Sequence, residues 1–170
     1  LAPDPVQVVE LGSGTSEKTV TLLEALLGVN ERVVYLPVDV CGHVLTESAA
    51  TLVQLMPELV VRPIRARYRS GLEHVNGDDG PILLLWLGSS IGNLDREQAA
   101  AFLECVTRRL AAGDRVLLGV DLMKDREALE AAYNDVAGVT AEFNLNVLAR
   151  INRELGGDFD LGRFRHVAVL

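Results

Sequence analysis

The sequence predicts an α/β fold in which an open, mostly parallel sheet carries helices on both faces. Two observations lead to this prediction: short, almost wholly apolar runs alternate with stretches of helical periodicity, and the first apolar run ends in two closely spaced glycines. Continuous apolar runs are typical of parallel strands buried on both faces. The helices between them supply the right-handed crossovers that parallel strands require.

Each apolar run is short, rich in valine, isoleucine and leucine, and therefore predicted to be a strand. In chain order the predicted strands span residues 6–11, 32–38, 60–66, 81–87 and 115–122. The predicted helices span residues 16–27, 44–56, 96–110 and 126–136. Ser16 is the expected N-cap of the first helix, because a serine hydroxyl can accept a hydrogen bond from the first helical turn. Residues 164–170 indicate the start of a further strand.

A last helical pattern is an apolar stripe that is expected to pack in the core. It consists of Phe143, Val147, Leu148, Ile151 and Leu155. With 170 residues, of which 49% are hydrophobic, the chain can bury one substantial core and is most simply one domain.

Composition also excludes several classes of partner. The net charge is −8, and no Lys/Arg cluster is dense enough to follow a phosphate backbone, so nucleic acid is not expected to bind. The longest apolar runs are too short to span a bilayer, and no apolar signal core follows a basic start, so we expect no membrane association and a cytoplasmic location. Cys41 and Cys105 fit no metal or redox spacing, and the three histidines are isolated from one another, so no metal site is expected.

The glycine pair in Gly12-Ser13-Gly14 follows the first predicted strand and predicts a cofactor turn. Glycines there let the chain turn sharply and let a ligand approach the backbone. Other strands are followed by polar residues or glycine turns, and the carboxyl ends of parallel strands meet at one edge of a sheet. These strand ends are Asp39, Arg67-Tyr68, Gly88–Asn93 and Asp121. Asp39, 25 residues after Gly14, is suited to accept hydrogen bonds from a ribose diol, although it is also a possible helix N-cap.

Three nucleotide-type ligands compete for this turn. A phosphate loop needs a second glycine where this chain has Glu17, whose carboxylate would repel phosphate. A dinucleotide-binding turn requires a third glycine, so that helix and strand pack closely, at the position where this chain has Ser16. S-adenosylmethionine has no pyrophosphate and tolerates both residues. The turn therefore favours a methyltransferase.

Several longer motifs carry a resemblance to a known family. They are Glu10–Thr19, Leu36–Val40, Gly88–Leu94, Gly119–Asp125, residues 132–146, Asn152–Leu155 and Asp158-Phe159. In these motifs the chain resembles the histidine N-alpha-methyltransferases of ergothioneine biosynthesis. The resemblance covers nearly the whole chain, and Gly-Ser-x-Ile-Gly-Asn is its most distinctive part. It implies a Rossmann-like fold of the class I methyltransferase type, S-adenosylmethionine as cofactor, and trimethylation of the α-amino group of histidine to give hercynine.

The same resemblance implies a set of site residues. The implied cofactor-binding residues are Gly12, Ser13, Gly14, Lys18, Asp39, Val40, Arg67, Tyr68, Gly88 and Ser89. Asn93 and Tyr133 are implied to hold the amino acid substrate and to serve catalysis, with Thr140 and Phe143 as further substrate contacts. Lys18, expected on the first helical turn, would reach the cofactor carboxylate. The bland alternatives are that Asn93 caps the helix starting near Asp95 and that Tyr133 is an ordinary half-buried aromatic residue.

Arg67 is a departure from the family, because relatives typically have an acid at this position that accepts a hydrogen bond from the adenine amino group. A guanidinium has no acceptor, so we expect adenine to be held by Tyr68 and the backbone. The resemblance further implies a cofactor core at residues 1–124 and a substrate-binding helical region that starts at 125–170 and is expected to be incomplete. The full-length protein is expected to be a monomer. Two alternatives stay open: a relative that methylates another amino acid or amine, and an inactive, truncated binding domain.

Overall fold

The computed structural model of the chain describes residues 5–169 and contains one parallel sheet. Its strands are β1 (Val6–Leu11), β2 (Val33–Asp39), β3 (Val60–Val61), β4 (Ile64–Arg65), β5 (Ile82–Trp86) and β6 (Arg115–Leu118). The strand order is β3-β2-β1-β5-β6, with β4 also paired to β2, and every pairing is parallel. Because β1 lies between β2 and β5, the direction of strand order reverses beside β1. The predicted open parallel sheet is confirmed.

Helices connect the strands and continue beyond them. They are α1 (Val20–Leu27), α2 (Gly42–Leu55), α3 (Tyr68–Gly71), α4 (Arg96–Thr107), α5 (Arg126–Tyr133) and α6 (Val139–Leu155). Short 3₁₀ turns occur at Leu72–His74, Ser90–Asn93 and Leu161–Arg163. Among the helices of residues 5–169, none is both long and apolar enough to cross a membrane.

Two apolar layers cover the two faces of the sheet, because successive side chains of a strand point to opposite sides. On one face, Val9 and Leu11 of β1 pack in a cluster with Phe102 and Val106 of α4. On the other face, Val8 lies in a cluster with Leu23 of α1 and with Leu52 of α2. The prediction of helices on both faces is therefore confirmed.

The third predicted strand, 60–66, is interrupted. β3 and β4 pair with β2 in one continuous register, Val34 with Val60 and Val38 with Ile64, but Arg62 and Pro63 between them are not in a strand. Proline has no N–H to donate, and in the same register Pro63 falls opposite Pro37 of β2. The interruption thus follows from two prolines that meet across the strand pair.

The start of the first helix was predicted wrongly. Ser16 has a φ of +58°, in the left-handed region, and α1 begins only at Val20. The N-cap is Thr19, without a capping hydrogen bond from its side chain, because its hydroxyl is engaged by Glu10. Ser16 is engaged elsewhere too, since its hydroxyl donates to the Tyr35 hydroxyl oxygen at 3.0 Å, the single Tyr35 proton being donated to Glu10.

The chain divides into two compact units, one ending at Asp121 and the other beginning at Leu122. The first unit contains the sheet and helices α1 to α4. The second contains α5, α6 and the segment that follows them. The strand predicted at 164–170 is not present in residues 164–169, and Leu170 lies outside the described residues.

Candidate cofactor and substrate-binding site

The glycine turn is tied to the end of the neighbouring strand. Gly12 and Gly14 have φ values of +76° and +52°, a conformation that a residue with a Cβ adopts only with strain. The backbone N–H of Gly12 donates to the carbonyl of Val38 at 2.8 Å. The N–H of Gly14 donates to Oδ2 of Asp39 at 3.1 Å. The turn between β1 and α1 is thus fixed against the carboxyl end of β2.

Asp39 lies half-buried at the end of β2 and connects two loops. Its Oδ2 accepts from Gly14, and its Oδ1 accepts from the backbone N–H of Cys41 at 2.9 Å. The N-cap residue of α2 is Cys41 and not Asp39, so the capping alternative for Asp39 is wrong. Each carboxylate oxygen can accept more than one hydrogen bond, which leaves acceptor capacity for a ligand hydroxyl.

Asp39 also lines a cleft of about 290 Å³ beside the glycine turn. The other lining residues are Gly12, Val40, Arg67 and Tyr68. The Tyr68 hydroxyl lies 2.8 Å from the position that a Cβ on Gly12 would take. The structure therefore places five predicted cofactor residues around one cleft.

Tyr68 is held at this cleft by an aromatic cluster. Its ring packs edge-on against Trp86 with a centroid distance of 5.7 Å, and lies 6.0 Å from Phe102. Trp86 is buried in the core cluster. The indole and phenyl rings fix where Tyr68 can lie relative to Gly12.

A second cleft, of about 260 Å³, runs along the glycine turn and shares Gly12 with the first. It is lined by Glu10, residues 12–18, Leu87, Gly88 and Ser90. Lys18 belongs to this lining, although it does not lie on the first turn of α1 as predicted, because α1 begins two residues later at Val20. The cleft beside Asp39 and the cleft lined by Lys18 thus share Gly12.

Under the second cleft lies a buried polar group that sequence reasoning did not assign. The carboxylate of Glu10, 4% exposed, accepts hydrogen bonds from the Tyr35 hydroxyl and from Thr19 Oγ1, the latter at 2.8 Å. Burial raises the pKa of Glu10, and the two hydrogen bonds oppose that rise. Burial and the charge of Glu10 raise the pKa of Tyr35 in turn. The group anchors both ends of the turn, since Glu10 precedes it and Thr19 follows it.

A signal for this group existed in the sequence. Glu10 is a lone acid in an apolar strand, and a buried carboxylate requires partners on the same face. Tyr35 supplies one from β2, where it pairs with Val8, two residues before Glu10. The strand register, which the sequence pattern does not reveal, was needed to match them.

The loop after β5 contributes Gly88 and Ser90 to the lining of the second cleft and has unusual backbone geometry. Gly88 and Ser89 have φ values of +68° and +57°. The Ser89 N–H donates to the carbonyl of Gly119 at 3.1 Å, and its Oγ accepts from the N–H of Asp121. These bonds tie the β5 loop to the end of β6, as expected for strand ends that converge on one edge.

Asn93 ends the short 3₁₀ turn after this loop and is exposed. It does not cap α4: Asp95 is the N-cap, and its carboxylate accepts from the N–H of Gln98 at 2.8 Å. The Asn93 carboxamide makes no hydrogen bond within residues 5–169, so its donor and acceptor remain available to a ligand. The capping alternative for Asn93 is therefore wrong.

The second unit holds the remaining predicted substrate residues. Tyr133 ends α5 with 61% of its surface exposed, and Phe143 on α6 is 74% exposed. Thr140, in the first turn of α6, donates its N–H to Asp135 at 2.9 Å. Hydrogen bonds from the Thr140 side chain and from the N–H groups of Thr140 and Val139 lower the pKa of Asp135 to about 2.

The core prediction for the stripe on α6 is wrong, since none of its residues is buried. Phe143, Val147 and Leu155 are all more than half exposed, at 74%, 54% and 79%. An amphipathic stripe needs an apolar partner surface, and α5 also contributes no buried residue. Exposure instead leaves Phe143 available for contact with a ligand.

The residues of the first unit fit S-adenosylmethionine by their chemistry. Asp39 offers an acceptor for ribose hydroxyls at one cleft, and Lys18 offers a cation for a carboxylate at the other. A Cβ on Gly14 would meet nothing within 4 Å, which is open space at the turn. The buried Ser13 hydroxyl has no hydrogen-bond partner among the described residues. The turn thus has open space for a ligand beside Gly14, and the Ser13 hydroxyl beside it is an unpaired hydrogen-bonding group.

Fold and site together define a Rossmann-like α/β domain with a cofactor cleft at the glycine turn. The fold is shared with the solved structure of LepI in complex with SAM, at a TM-score of 0.52 and 18% identity over 82% of this chain and 33% of that one. The chain belongs to the family described as histidine-specific, SAM-dependent methyltransferases, whose model matches residues 2–170. S-adenosylmethionine is therefore the cofactor of its family.

Curated relatives agree with this family. The sequence of this chain is 44% identical to that of the histidine N-alpha-methyltransferase of Mycolicibacterium smegmatis, over 95% of this chain and 50% of the relative. It is 34% identical to that of ergothioneine biosynthesis protein 1 of Neurospora crassa over 91% of this chain and 18% of the relative. The chain thus spans about half the length of the bacterial relative.

Proposed function

We propose that this protein transfers methyl groups from S-adenosylmethionine to the α-amino group of histidine, giving N-alpha-trimethylhistidine, or hercynine, for ergothioneine biosynthesis. The observation that carries the proposal is the family match over residues 2–170 in a chain whose glycine turn, Asp39 and Tyr68 enclose one cleft. The proposal concerns the whole protein, which we expect to be cytoplasmic and monomeric.

The proposed cofactor contacts follow from the two clefts. Asp39 accepts hydrogen bonds from the ribose diol, while Gly12 and Gly14 let the cofactor approach the backbone. Tyr68 lies against the adenine, and Arg67 stacks on it or turns outward. Lys18 pairs with the cofactor carboxylate in the second cleft. The remaining proposed cofactor contacts are Ser13, Val40, Gly88 and Ser89.

The proposed chemistry is three successive methyl transfers to one nitrogen. Bound S-adenosylmethionine supplies an activated methyl group on a sulfonium. The nitrogen lone pair forms the new N–C bond while the S–C bond breaks and its electrons return to sulfur. Only the neutral amine has this lone pair, so a proton must leave the nitrogen before each transfer.

Asn93 is proposed to orient this amine. Its unpaired carboxamide can accept a hydrogen bond from an amine N–H and can donate one to the carboxylate of the amino acid. An uncharged amide holds the amine without the full ion pair that would favour its protonated, unreactive form. The gain in rate then comes from positioning and from the exclusion of water.

In the second unit, Tyr133, Thr140 and Phe143 are the proposed substrate contacts. Tyr133 has an exposed hydroxyl-bearing ring suited to a carboxylate, and Phe143 has an exposed apolar ring. We propose residues 1–124 as the cofactor core and residues 125–170 as part of the substrate-binding region.

The test is mass spectrometry of histidine after incubation with the protein and S-adenosylmethionine. Mono-, di- and trimethylhistidine are expected. Methylation of another amino acid or amine, with none of histidine, would assign a different substrate to the same chemistry. Cofactor binding without any transfer would support the inactive binding domain.

Asn93→Ala is the matching variant. It should abolish methyl transfer and leave the Kd for S-adenosylmethionine within about two-fold, because Asn93 lies outside both cofactor clefts. Arg96→Ala, three residues along the chain on the exposed first turn of α4, serves as the control. A large loss of cofactor affinity in Asn93→Ala would show that Asn93 binds the cofactor instead.

A further inference from the structure

Hydrogen bonds join the end of α5 to the segment that follows α6. Nε2 of His166 lies 2.6 Å from the backbone carbonyl oxygen of Tyr133. Nδ1 of the same imidazole lies 3.2 Å from Nδ2 of Asn144 on α6. One half-buried histidine therefore bridges the last residue of α5 and the middle of α6.

A second pair of hydrogen bonds joins the same two segments at Asn134, the residue after Tyr133. The Asn134 carboxamide donates to the carbonyl of Ala168 at 3.2 Å and accepts from the Ala168 N–H at 3.1 Å. This pair of bonds resembles the pairing between two strands, with a side chain in place of one strand. It joins Ala168 to the residue after α5, although residues 164–169 do not form the predicted strand.

Helix geometry explains why the Tyr133 carbonyl needs a partner. The last carbonyls of a helix have no N–H within the helix to bind. The final helical bond of α5 runs from Asn134 N–H to Glu130, which leaves the Tyr133 carbonyl to bind outside the helix. A histidine N–H at a helix carboxyl end satisfies such a carbonyl.

The partners also define which ring nitrogen of the imidazole donates and which accepts. A carbonyl oxygen only accepts, so Nε2 carries the proton, and Nδ2 of Asn144 only donates, so Nδ1 accepts. With a proton on Nε2 and a lone pair on Nδ1, the imidazole satisfies both contacts at once.

We propose that His166 is a positioning residue that fixes Tyr133 for contact with the carboxylate of the amino acid substrate. The inference rests on the substrate role of Tyr133 in the proposed function. Tyr133 is 61% exposed as a residue, so packing alone does not set the direction of its ring. Its direction follows from the backbone at the end of α5, and His166 and Asn134 hold that backbone.

The first experiment measures steady-state kinetics of histidine methylation by His166→Ala. The KM for histidine should rise about ten-fold, because a displaced contact weakens substrate binding. The Kd for S-adenosylmethionine should stay within about two-fold, because every proposed cofactor contact belongs to the first unit. Arg165→Ala, an exposed neighbour in the same segment, is the matched control and should leave both values unchanged. An unchanged KM for histidine in His166→Ala would overturn the inference.

A double-mutant cycle separates positioning from general stability. If His166 acts through Tyr133, then His166→Ala should raise KM by less than about two-fold in a Tyr133→Phe background. Full additivity would mean that His166 acts independently of Tyr133 and would overturn the inference. His166→Gln should restore KM to within about three-fold of the wild type, because its amide can donate to the Tyr133 carbonyl.

Nuclear magnetic resonance distinguishes failure of this inference from failure of the proposed function. The imidazole ¹⁵N shifts of His166 should show the proton on Nε2, and His166→Ala should shift the Tyr133 ring signals. If the wild type does not methylate histidine but these signals behave as expected, the proposed function fails while the contact with Tyr133 stands. If the Tyr133 signals do not move, the positioning role is wrong whatever the activity.

Discussion

Replacement of Gly12 by alanine should destabilise the first unit more than replacement of Gly14. Both glycines have positive φ values, +76° and +52°, so a Cβ at either position costs about 1–2 kcal/mol of backbone strain. At Gly14 nothing else lies within 4 Å of the new Cβ. At Gly12 the new Cβ would lie 2.8 Å from the Tyr68 hydroxyl and 3.3 Å from its ring. Tyr68 must therefore move.

Movement of Tyr68 disturbs its contacts with two aromatic rings, Trp86 at 5.7 Å and Phe102 at 6.0 Å. Loss of one such contact costs about 1 kcal/mol. The expected total for Gly12→Ala is then about 2–3 kcal/mol, against about 1–2 kcal/mol for Gly14→Ala.

The assay is urea unfolding followed by fluorescence of Trp86, the one tryptophan in the sequence, which packs against Tyr68. Tyr68→Phe removes the atom nearest to the new Cβ, so the excess cost of Gly12→Ala should shrink in that background. Equal destabilisation by Gly12→Ala and Gly14→Ala, or an excess that Tyr68→Phe leaves unchanged, would refute the contact between Gly12 and Tyr68.

Three further outcomes concern charge. Arg67→Asp should tighten S-adenosylmethionine binding in calorimetry, because it supplies the acceptor that arginine lacks, whereas unchanged affinity would mean that Arg67 does not face adenine. Burial raises the pKa of Glu10 above 4.5, so folding favours its protonated form, and the free energy of unfolding should fall as pH rises from 4.5 through the pKa of folded Glu10. Glu10→Gln should lack this fall when unfolding by urea is followed at several pH values. Identical pH profiles for the two proteins would argue against the burial of Glu10. The pKa of Asp135 is lowered from 3.8 to about 2, so the stability that its carboxylate gives is present above pH 3.8 and lost as pH falls through about 2. In acid titrations followed by circular dichroism, the stabilities of wild type and Asp135→Ala should therefore become equal near that pH. A difference in stability that stays constant with pH would contradict this prediction.

Much of the sheet was predictable, because each strand is an apolar run bounded by turn residues. β1 has the predicted bounds, Val6–Leu11, and the other long strands differ by a few residues at their ends. The exception is the third strand, where Pro63 lies opposite Pro37 and neither can donate to the ladder. That interruption depends on the register between two strands, which periodicity alone does not give.

The site was predictable to the extent that strand ends converge. Gly12, Asp39 and Tyr68 were expected at one edge, and they line one cleft. The buried bonds from Tyr35 and Thr19 to Glu10 were not foreseen, because they depend on register and on the left-handed turn at Ser16. The hydrogen bond that joins Gly14 to Asp39 likewise depends on three-dimensional approach.

The second unit was predicted less well for a physical reason. Its apolar stripe on α6 was expected to be core, but periodicity reports only that one face is apolar and not that a partner surface covers it. The segment at residues 164–170 was predicted to be the start of a strand. It is instead fixed by side chains of Asn134 and Asn144, which no strand pattern encodes.

The most direct test of cofactor binding at the glycine turn is calorimetric titration of the protein with S-adenosylmethionine, with Asp39→Ala as the comparison. The wild type should bind with a Kd below about 1 mM, and Asp39→Ala should weaken binding at least about ten-fold, because it removes both the ribose acceptor and the bond to Gly14. The absence of binding at millimolar cofactor, or equal affinity in the two proteins, would contradict the assignment of this cleft.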